Sequence, residues 1–470
     1  MGRHDKPLSM VESDSVMQPN HKDFWFLPLG GCGEIGTNLN LYGHAGSWLM
    51  VDCGVTFEKF RDESRAGNRI ELPDPSFISN RAESLVALIA THAHEDHIGA
   101  IAHLWDQFQC PIYTTAFTRN VLLRKLRDKG VDAPVITVST GEEIQLGPFF
   151  INWLPVTHST PETNALLIKT SVGKVLHTAD WKIDSAPIAG EPFCPSSFHA
   201  LGQSGIDVIV CDSTNATKPG HSVSESELFH GLNGRVAASR KRVVVGCFSS
   251  NVARLQTLGN VAKVSGRYLG LLGRSLRHMV SSARAAGYLK ENFSCVDNYE
   301  LGYLLPEETL IVATGSQGET GAALHRLALD NHPDVNLSAG DHVIFSTTTI
   351  PGNEKQVAGL VSALSARGIQ VTLADESDVS LHASGHPYVD ELKKMYQWVR
   401  PRLAIPVHGE ERHLRANARI ASSEGVPHCL VGKNGDLFDL VSNKRREGVA
   451  KVGRLWLNES SSRLEPVIAG

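Results

Sequence analysis

The sequence predicts an α/β fold built from two units, because two different patterns follow one another along the chain. In the first half, short apolar runs alternate with turn residues, which is typical of strands in a mixed or antiparallel sheet. Between residues 222 and 380, strand-like runs such as Val243–Val245 alternate with helical stretches such as Asn251–Val264, which indicates a parallel sheet flanked by helices. A last apolar run, Leu403–Val407, predicts one more strand that ends directly before His408.

The apolar runs of the first half each predict a strand. They lie at Phe24–Leu29, Asn38–Tyr42, Trp48–Val51, Leu85–Ala90, Pro111–Tyr113, Val135–Val138, Phe149–Leu154, Ala165–Ile168 and Lys174–His177. The glycine-rich segment 30–33 lacks the Lys-Ser/Thr ending and the spacing of a phosphate loop, so a structural turn is favoured. Apolar residues recur at helical spacing from Ile98 to Trp105. An amphipathic helix is therefore predicted to begin directly after His97.

Composition and charge place the chain among globular proteins and give it no general attraction for nucleic acid. Hydrophobic residues make up 41% and charged residues 20% of the 470 residues. The formal net charge is -5, so a polyanionic substrate would need a local basic groove or bound metal ions. The eight cysteines include no C-x-x-C pair, which argues against a disulfide framework and against a thiolate zinc site.

The ends of the chain and its hydropathy bear on cellular location. No apolar run approaches the roughly 20 residues that span a bilayer, so no membrane partner is expected. Residues 1–22 lack the apolar core of a secretory signal and are expected to form a disordered leader. Residues 451–470 are expected to form a short polar tail. A cytoplasmic location follows as the default expectation.

The stretch Thr91–His97 predicts a metal site at the end of a buried strand. It places three histidines, a glutamate and an aspartate directly after the fourth predicted strand. In an extended segment alternate side chains share a face, so His92, His94 and Asp96 are expected on one side. His97 would then be offset, which supplies ligands to two neighbouring points. Because imidazole nitrogens and carboxylates suit zinc, a two-metal site is predicted.

Four more ligand-type residues follow strands elsewhere in the chain. They are Asp52, His158, Asp180 and His408. A lone histidine at a strand end is more often a satisfied polar residue than a ligand. An open metal site, however, needs ligands from several strand ends that converge at one rim, and these residues together meet that need.

A workable assignment uses seven ligands for two zinc ions. One ion would be held by His92, His94 and His158, and the other by Asp96, His97 and His408, with Asp180 bridging both. Two zinc ions about 3.5–4 Å apart can activate water for a displacement at phosphorus. Asp52 is predicted to accept a hydrogen bond from a ligand imidazole and so to fix its tautomer.

Further motifs occur in order along nearly the whole chain, from about Phe24 to Asp436. They are Pro28–Gly31 with Gly33–Gly36, Asp212–Ala216, Phe248–Val252, Thr314–Glu319, Ile350–Glu354, His382–His386 and Pro406–Glu410. Together with the H-x-H-x-D-H loop and its downstream histidines and aspartate, these motifs resemble the metallo-β-lactamase fold. Within that fold, the chain is most similar to the β-CASP nucleases of the ribonuclease J family.

The resemblance implies an αββα metallo-β-lactamase sandwich that is interrupted by an inserted α/β β-CASP domain. The first part of the sandwich would cover residues 23–221, the insert 222–380 and the completion 381–450, which brings in His408. The resemblance also implies a homodimer or homotetramer. That expectation is weakened because most of the family's small C-terminal domain, which helps dimerisation, is missing from this sequence.

The resemblance also implies roles for individual residues. In the family, the stretch that contacts substrate phosphate near the metals matches His382, Ala383, Ser384, Gly385 and His386. A serine hydroxyl, backbone N–H groups around Gly385 and two imidazoles are chemically suited to bind an oxyanion. Asp96 and His386 are the predicted catalytic residues. Asp212 is expected to support either a ligand or the domain junction.

Two further sets of residues keep alternatives open. Ser316, Gln317 and Glu319 would either line the cleft and contact RNA or pack between the domains. Arg267, Arg274 and Arg277, predicted on one helical stretch, would either meet RNA phosphates or form a solvated face, which is the usual place for such charges.

The preferred function is a zinc-dependent ribonuclease that hydrolyses RNA phosphodiesters with activated water, as a 5′→3′ exonuclease, an endonuclease or both. Its products would carry a 5′-phosphate and a 3′-hydroxyl, and Mn²⁺ or Mg²⁺ could replace zinc in supporting activity. One alternative is a hydrolase of a small ester or thioester with the same fold, which the insert and His382–His386 disfavour. A second is a weakly active or non-catalytic RNA-binding subunit, which the complete ligand set disfavours.

Overall fold

The computed structural model of the protein describes residues 17–59, 68–289, 293–350, 352–458 and 463–467. In chain order the strands are β1 (Trp25–Gly30), β2 (Leu39–His44), β3 (Ser47–Val51), β4 (Thr56–Lys59), β5 (Asn68–Pro73), β6 (Leu85–Ile89), β7 (Ile112–Thr114), β8 (Val135–Thr137), β9 (Glu143–Leu146), β10 (Phe149–Pro155), β11 (Asn164–Thr170), β12 (Gly173–His177), β13 (Val208–Asp212), β14 (Val243–Gly246), β15 (Tyr268–Leu272), β16 (Thr309–Ala313), β17 (His342–Phe345), β18 (Gln370–Leu373), β19 (Leu403–Val407), β20 (His428–Cys429), β21 (Leu437–Asp439), β22 (Lys444–Arg446), β23 (Arg454–Asn458) and β24 (Arg463–Pro466).

Helices connect and cover these strands. In chain order they are α1 (Ser76–Ser79), α2 (Glu95–Ile98), α3 (Ile101–Leu104), α4 (Ala116–Lys129), α5 (Pro195–Ser204), α6 (Leu228–Ala238), α7 (Val252–Val264), α8 (Arg274–Ala285), α9 (Asn298–Leu301), α10 (Ala323–Ala328), α11 (Glu354–Ala366), α12 (Val389–Val399) and α13 (Glu411–Ser423). Short 3-10 turns lie at Ala82–Ser84, Trp105–Gln107, Glu225–Glu227, Pro306–Glu308 and Ala374–Glu376.

Two large sheets pack face to face and carry the site. The first has eight strands in the order β22-β21-β1-β2-β3-β6-β7-β8, and the second has seven in the order β20-β19-β13-β12-β11-β10-β9. Phe26 and Tyr42 of the first sheet and Ile151 and Trp153 of the second belong to one buried core between them. Strands β13 and β19 are buried along their whole length, which explains their nearly continuous apolar sequences.

Helices cover the outer faces of both sheets. On the first sheet, Ile101 of α3 and Leu122 of α4 share a buried cluster with Met50 of β3. On the second sheet, Tyr396 of α12 and Ile420 of α13 share another with strand β13. The layers therefore run helix, sheet, sheet, helix, and the predicted αββα sandwich is confirmed.

A separate five-stranded sheet forms the core of the inserted unit. Its order is β15-β16-β14-β17-β18, and all neighbouring strands are parallel. Alternate residues of β16 face opposite sides: Val312 lies in a cluster with Leu255 of α7, and Ile311 lies in another with Leu324 of α10. The prediction of a parallel sheet flanked by helices is therefore confirmed, and all five strands lie between residues 222 and 380.

Two local expectations differ from the structure. The helix predicted after His97 is two short helices, α2 and α3, and α2 already begins at Glu95. The expected polar tail instead contributes β23 and β24 to a four-stranded sheet in the order β24-β23-β5-β4. This sheet could not be foreseen locally, because strand β23 pairs with β5, nearly 400 residues earlier in the chain.

The expected leader lies largely outside the described residues, which begin at Met17. Within its described part, the carbonyl oxygens of Pro19 and Asn20 accept hydrogen bonds from the backbone amides of Gly46 and Ala45. Across the described ranges, no helix is both long and apolar enough to cross a bilayer.

Candidate metal centre

The ends of parallel strands bring the predicted ligands to one rim of the sandwich. Strand β3 is parallel to β6, so Asp52 and His92 follow strands that end side by side. Strands β12, β13 and β19 are also mutually parallel, which gathers Asp180, Asp212 and His408. Asp52 and His408 have left-handed φ angles of 64° and 53°. Such angles are uncommon outside glycine and concentrate at functional sites.

The first ligand group contains His92, His94, His158 and Asp180, whose nearest ligand atoms all lie within 4.8 Å of one another. His94 Nδ1 lies 3.2 Å from His92 Nε2 and 3.0 Å from His158 Nε2. Asp180 Oδ2 lies 3.7 Å from His92 Nε2 and 3.6 Å from His158 Nε2. Three imidazole nitrogens and one carboxylate oxygen therefore face one point.

The second group contains Asp96, His97, His408 and again Asp180. His97 Nε2 lies 3.2 Å from Asp180 Oδ2 and 3.5 Å from Asp96 Oδ2. His408 Nε2 lies 3.2 Å from Asp96 Oδ2 and 3.7 Å from Asp180 Oδ1. The structure thus brings the seven predicted ligands together in two adjacent groups, with Asp180 common to both.

The metal loop differs from the predicted extended geometry in one respect. An extended chain would put His92, His94 and Asp96 on one side, but Asp96 and His97 lie in the first turn of α2. His94, the residue before the helix, has an extended conformation, with φ -76° and ψ 151°. The helical turn carries the Asp96 carboxylate away from the first group and towards His408.

Asp52 fixes the tautomers of two ligands, although it belongs to neither group. His97 Nδ1 donates to Asp52 Oδ2 at 2.7 Å, which leaves Nε2 of His97 free to bind a metal ion. Thr91 Oγ1 donates to the same carboxylate at 2.9 Å and lies 3.0 Å from His92 Nδ1, from which it can accept. One carboxylate therefore orients a ligand of each group, in the position that the sequence predicted for Asp52.

Two contacts that the sequence did not reveal orient the remaining ligands of the first group. His94 Nε2 lies 3.2 Å from Ser159 Oγ, which can accept its proton. His158 Nδ1 donates to the carbonyl oxygen of Gly385 at 2.6 Å. The sequence marks Gly385 as part of a motif but does not predict this contact, because any residue has a backbone carbonyl oxygen that can accept a hydrogen bond.

The donor set fits zinc. Burial lowers the pKa of His94 to about 4 and that of His92 well below its usual value, so both are neutral, the form that binds metal. Neither ring nitrogen of the buried His408 has a hydrogen-bond partner in the described part of the chain. Leaving such a group unsatisfied costs about 1–3 kcal/mol, whereas a cation beside Asp96 would satisfy it. Neutral imidazoles with carboxylates are typical zinc ligands.

His386 and Asp212 form a pair at the edge of the two groups. His386 Nδ1 donates to Asp212 Oδ2 at 2.8 Å and lies 3.8 Å from Asp180 Oδ2. Burial disfavours the charged imidazolium, but Asp212 and Asp180 outweigh it and raise the pKa of His386 to about 9. Asp212 thus supports His386 itself, beside the ligands.

The other end of the same loop faces the inserted domain. His382 Nδ1 lies 3.2 Å from the carbonyl oxygen of Ser346, and burial with the nearby Arg254 lowers its pKa to about 3. Arg254 is fully buried, pairs with Glu225 at 2.9 Å and donates to the Ser346 carbonyl at 2.6 Å. This polar network holds the loop where it leaves the insert.

The middle of the loop is packed rather than open. Ala383 is buried, and Ser384 Oγ accepts hydrogen bonds from Asn215 Nδ2 at 2.7 Å and from the backbone amide of His386 at 3.3 Å. This amide is therefore engaged within the loop, and oxyanion binding by the other groups of His382–His386 stays a prediction. His386 remains the loop side chain that borders both ligand groups.

Replacing Gly385 with alanine is expected to weaken the first ligand group. The added methyl carbon would lie 2.5 Å from His158 Cε1, so the loop or the imidazole must move. We expect zinc bound by this group to lose about 10–100-fold in affinity, the usual effect of disturbing the support of a ligand. Zinc titration of the purified variant measures it.

Gly359→Ala is the matched control, because a methyl group there meets no atom within 4 Å and α11 favours alanine. Equal zinc affinities in Gly385→Ala and the wild type would contradict the expected crowding of His158.

Two sets of residues with open alternatives receive a structural explanation. Ser316 and Gln317 are 2% and 4% exposed, and the side chain of Gln317 binds the Thr348 carbonyl at 3.1 Å and the Ile350 amide at 2.8 Å. Glu319 accepts the Gln317 amide at 2.9 Å. This cluster packs within the inserted domain. The prediction that Ser316 and Gln317 line the cleft is therefore wrong.

The three arginines do not form one helical set. Arg267 precedes β15, and its guanidinium donates to the carbonyl oxygens of Lys241 and Ser239 at 2.8 and 2.5 Å, which makes it a structural residue. Arg274 and Arg277 are exposed on α8. Phosphate contact therefore stays an open expectation for those two alone.

Family models match most of the chain. The description "Ribonuclease J, beta-CASP domain" covers residues 240–364, "Metallo-beta-lactamase superfamily" covers 32–189, and "Zn-dependent metallo-hydrolase RNA specificity domain" covers 379–430. A solved structure of a protein of unknown function from Enterococcus faecalis matches with a TM-score of 0.62 and 16% identity. That match covers 89% of this chain and 100% of the other, and it supports the fold alone.

Curated relatives are more specific. The chain is 40% identical to a ribonuclease J of Sinorhizobium meliloti over 421 residues, which are 88% of this chain and 74% of the relative. It is 38% identical to a ribonuclease J of Mycolicibacterium smegmatis, covering 92% and 77% of the two chains. A ribonuclease J of Helicobacter pylori is 32% identical, with 98% and 69% covered. The chain belongs to the ribonuclease J family.

Proposed function

We propose that the protein hydrolyses phosphodiester bonds in RNA with a pair of zinc ions. The observation that carries the proposal is the shared carboxylate of Asp180, which belongs to two adjacent groups of imidazole and carboxylate ligands. RNA as the substrate class is supported by the ribonuclease relatives and by the RNA specificity model over residues 379–430. His92, His94 and His158 would hold one ion, and Asp96, His97 and His408 the other.

The chemistry divides between the metals and the protein. When bound, two zinc ions lower the pKa of water towards neutrality and stabilise charge on the phosphate during an in-line displacement. Asp96, whose side chain is 29% exposed, accepts a proton from the attacking water. His386 keeps Nδ1 on Asp212, so its Nε2–H donates a proton to the leaving 3′-oxygen. The products are a 3′-hydroxyl and a 5′-phosphate.

Further features of the proposal follow from the family. Exonuclease action from the 5′ end and endonuclease action are both consistent with it, and Mn²⁺ or Mg²⁺ are alternative activating ions. We assign residues 23–221 and 381–450 to the metallo-β-lactamase domain and 222–380 to the β-CASP insert. A cytoplasmic location and a homodimer or homotetramer are also part of the proposal.

Mapping of product ends tests the proposed function. The zinc-loaded protein is incubated with 5′-monophosphorylated, 5′-triphosphorylated and circular RNA of one sequence. Cleavage with 5′-phosphate and 3′-hydroxyl ends is the expected result, and the circular substrate separates endonuclease from exonuclease action. No cleavage of any of the three RNAs, combined with turnover of a simple ester or thioester, would reject the proposal.

Removal of metal is expected to abolish cleavage and to lower the melting temperature together. A ligand that binds only the folded state stabilises it by about 2.7 kcal/mol per site at a hundredfold excess over its dissociation constant. Dialysis against a chelator followed by calorimetry and RNA cleavage measures both effects, and added zinc should restore both. Full activity in protein shown to be free of metal would contradict the metal mechanism.

A further inference from the structure

The loop from Gly31 to Asn38, which we call the glycine loop, lies against the second ligand group. The carbonyl oxygen of Gly31 accepts a hydrogen bond of 2.6 Å from the backbone amide of His408. The backbone and side-chain amides of Asn38 donate to the carbonyl oxygen of Asp96 at 3.1 and 3.0 Å. Because His408 has a left-handed φ, its position depends on backbone contacts of this kind.

The glycine loop also reaches the third ligand of the second group, since Asn38 Nδ2 lies 3.2 Å from His97 Nε2. The ligands of the first group are oriented from elsewhere, by Thr91, Ser159 and the carbonyl oxygen of Gly385. A displacement of the glycine loop is therefore expected to disturb the second group before the first.

The Glu34 carboxylate is one anchor of the glycine loop, beside backbone contacts such as that of the Cys32 amide with Asn434 Oδ1 at 2.8 Å. Glu34 Oε1 accepts hydrogen bonds from Thr37 Oγ1 and from Asn434 Nδ2, both at 2.8 Å. Its other oxygen, Oε2, accepts from Arg454 Nη2 at 2.5 Å. The Glu34 side chain is 25% exposed, so water screens this ion pair only in part.

Arg454 connects the glycine loop to the four-stranded sheet. It is the first residue of β23, and its Nη1 donates to Glu71 Oε2 of β5 at 2.8 Å. Glu71 is buried, with a 2% exposed side chain, and it is also bound by Arg69 Nε at 2.5 Å. Among the described residues, loss of Arg454 would remove the cation that pairs with the Glu34 carboxylate and one of the two cations that pair with Glu71.

We propose that Arg454 is a positioning residue for the second metal ion: it holds Glu34, and through it the glycine loop, against Asp96, His97 and His408. The inference rests on the proposed function, because it concerns the affinity of one of the two metals. Ligands must be held within about 0.5 Å of their productive positions, so a small shift of the loop is sufficient. A strand near the end of the chain, far from the site in sequence, thereby determines occupancy of the metal centre.

Zinc titration of the metal-free protein tests the proposal, with Arg454→Gln compared against the wild type. We expect the second-group ion to bind about 10–100-fold more weakly, while the first-group ion keeps its affinity within about twofold. Arg69→Gln is the matched control, since it removes a cation from the same Glu71 but leaves the Arg454–Glu34 contact in place. It should leave both zinc affinities unchanged.

A His408→Ala variant shows which ligand group Arg454 affects, because this variant should bind zinc only through the first group. Adding Arg454→Gln to this variant should not change its zinc affinity. Arg454→Lys should restore part of the lost affinity in the otherwise native chain, because an ammonium can still pair with Glu34. Glu34→Gln removes the negative charge of the same ion pair, so it should also weaken zinc binding by the second group alone. This variant keeps the proposal testable if Arg454→Gln does not fold.

The outcomes separate this inference from the proposed function. Selective weakening of the second ion, with the unfolding temperature of the metal-free protein unchanged, supports the positioning role. Two results would overturn the inference alone, provided that the wild-type protein binds two zinc ions. One is equal weakening of both ions in Arg454→Gln, and the other is an unchanged affinity of its second group for zinc. A wild-type protein that takes up fewer than two zinc ions would overturn the proposed function and this inference with it.

Discussion

Replacing Asp180 with asparagine is expected to reduce RNA cleavage by at least about a thousandfold, more than the loss of a single oxyanion donor in other hydrolases. Asp180 is the carboxylate common to both ligand groups and lies within 3.2–3.7 Å of His97, His92 and His408. Asparagine has nearly the same shape, so the fold should persist while the shared negative charge disappears. Cleavage of a 5′-monophosphorylated RNA under single-turnover conditions measures the loss.

Zinc content makes the Asp180 prediction specific. Both ions should bind more weakly in Asp180→Asn, whereas Asp106→Asn, at an exposed position in a 3-10 turn, should bind zinc and cleave RNA like the wild type. Retention of two tightly bound zinc ions in Asp180→Asn would contradict the bridging role of this carboxylate.

Replacing His386 with alanine is expected to lower kcat about 10²–10⁴-fold, the range typical of a positioned acid or base. The residue borders both ligand groups but belongs to neither, so two zinc ions should remain bound. The Asp212 carboxylate at Nδ1 stabilises the protonated imidazolium, which donates from Nε2 to the leaving oxygen. Measuring kcat together with zinc content separates this role from metal binding.

Two variants control the His386 prediction. Asp212→Asn keeps the imidazole but weakens its anchor at Nδ1, so a smaller loss of kcat is expected. His382→Ala changes the other imidazole of the same loop, which contacts Ser346 of the inserted domain and not the ligands, so kcat should fall far less. Equal losses in His386→Ala and His382→Ala would show that loop packing, and not proton transfer, is being measured.

Much of the fold could be predicted because most of its strands are recognisable from short stretches of sequence. Fully buried strands such as β13 and β19 appear as continuous apolar runs, and the inserted sheet appears as alternating strands and helices. The four-stranded sheet was not predicted. Its strand β23 is only half-buried and pairs with β5 across most of the chain, so neither periodicity nor composition marks it.

The clustering of the seven candidate ligands could be predicted for a related reason, since each follows a strand and the ends of parallel strands meet at one rim. Their supporting contacts could not. The carbonyl oxygen of Gly385, the hydroxyl of Ser159 and the ion pair between Glu34 and Arg454 depend on distant segments meeting. The structural role of Arg267 could not be predicted either. Its guanidinium binds backbone carbonyl oxygens, and the sequence does not show whether an arginine faces water or such acceptors.

The dependence of RNA cleavage on zinc stoichiometry tests the two-metal account most directly. Metal-free protein is titrated with zinc, and the initial rate of cleavage of a 5′-monophosphorylated RNA is followed at each step. The account predicts little cleavage up to one zinc ion per chain and a rise to full activity as the ratio passes from one to two. Full activity at one ion per chain, or none at any ratio, would contradict it.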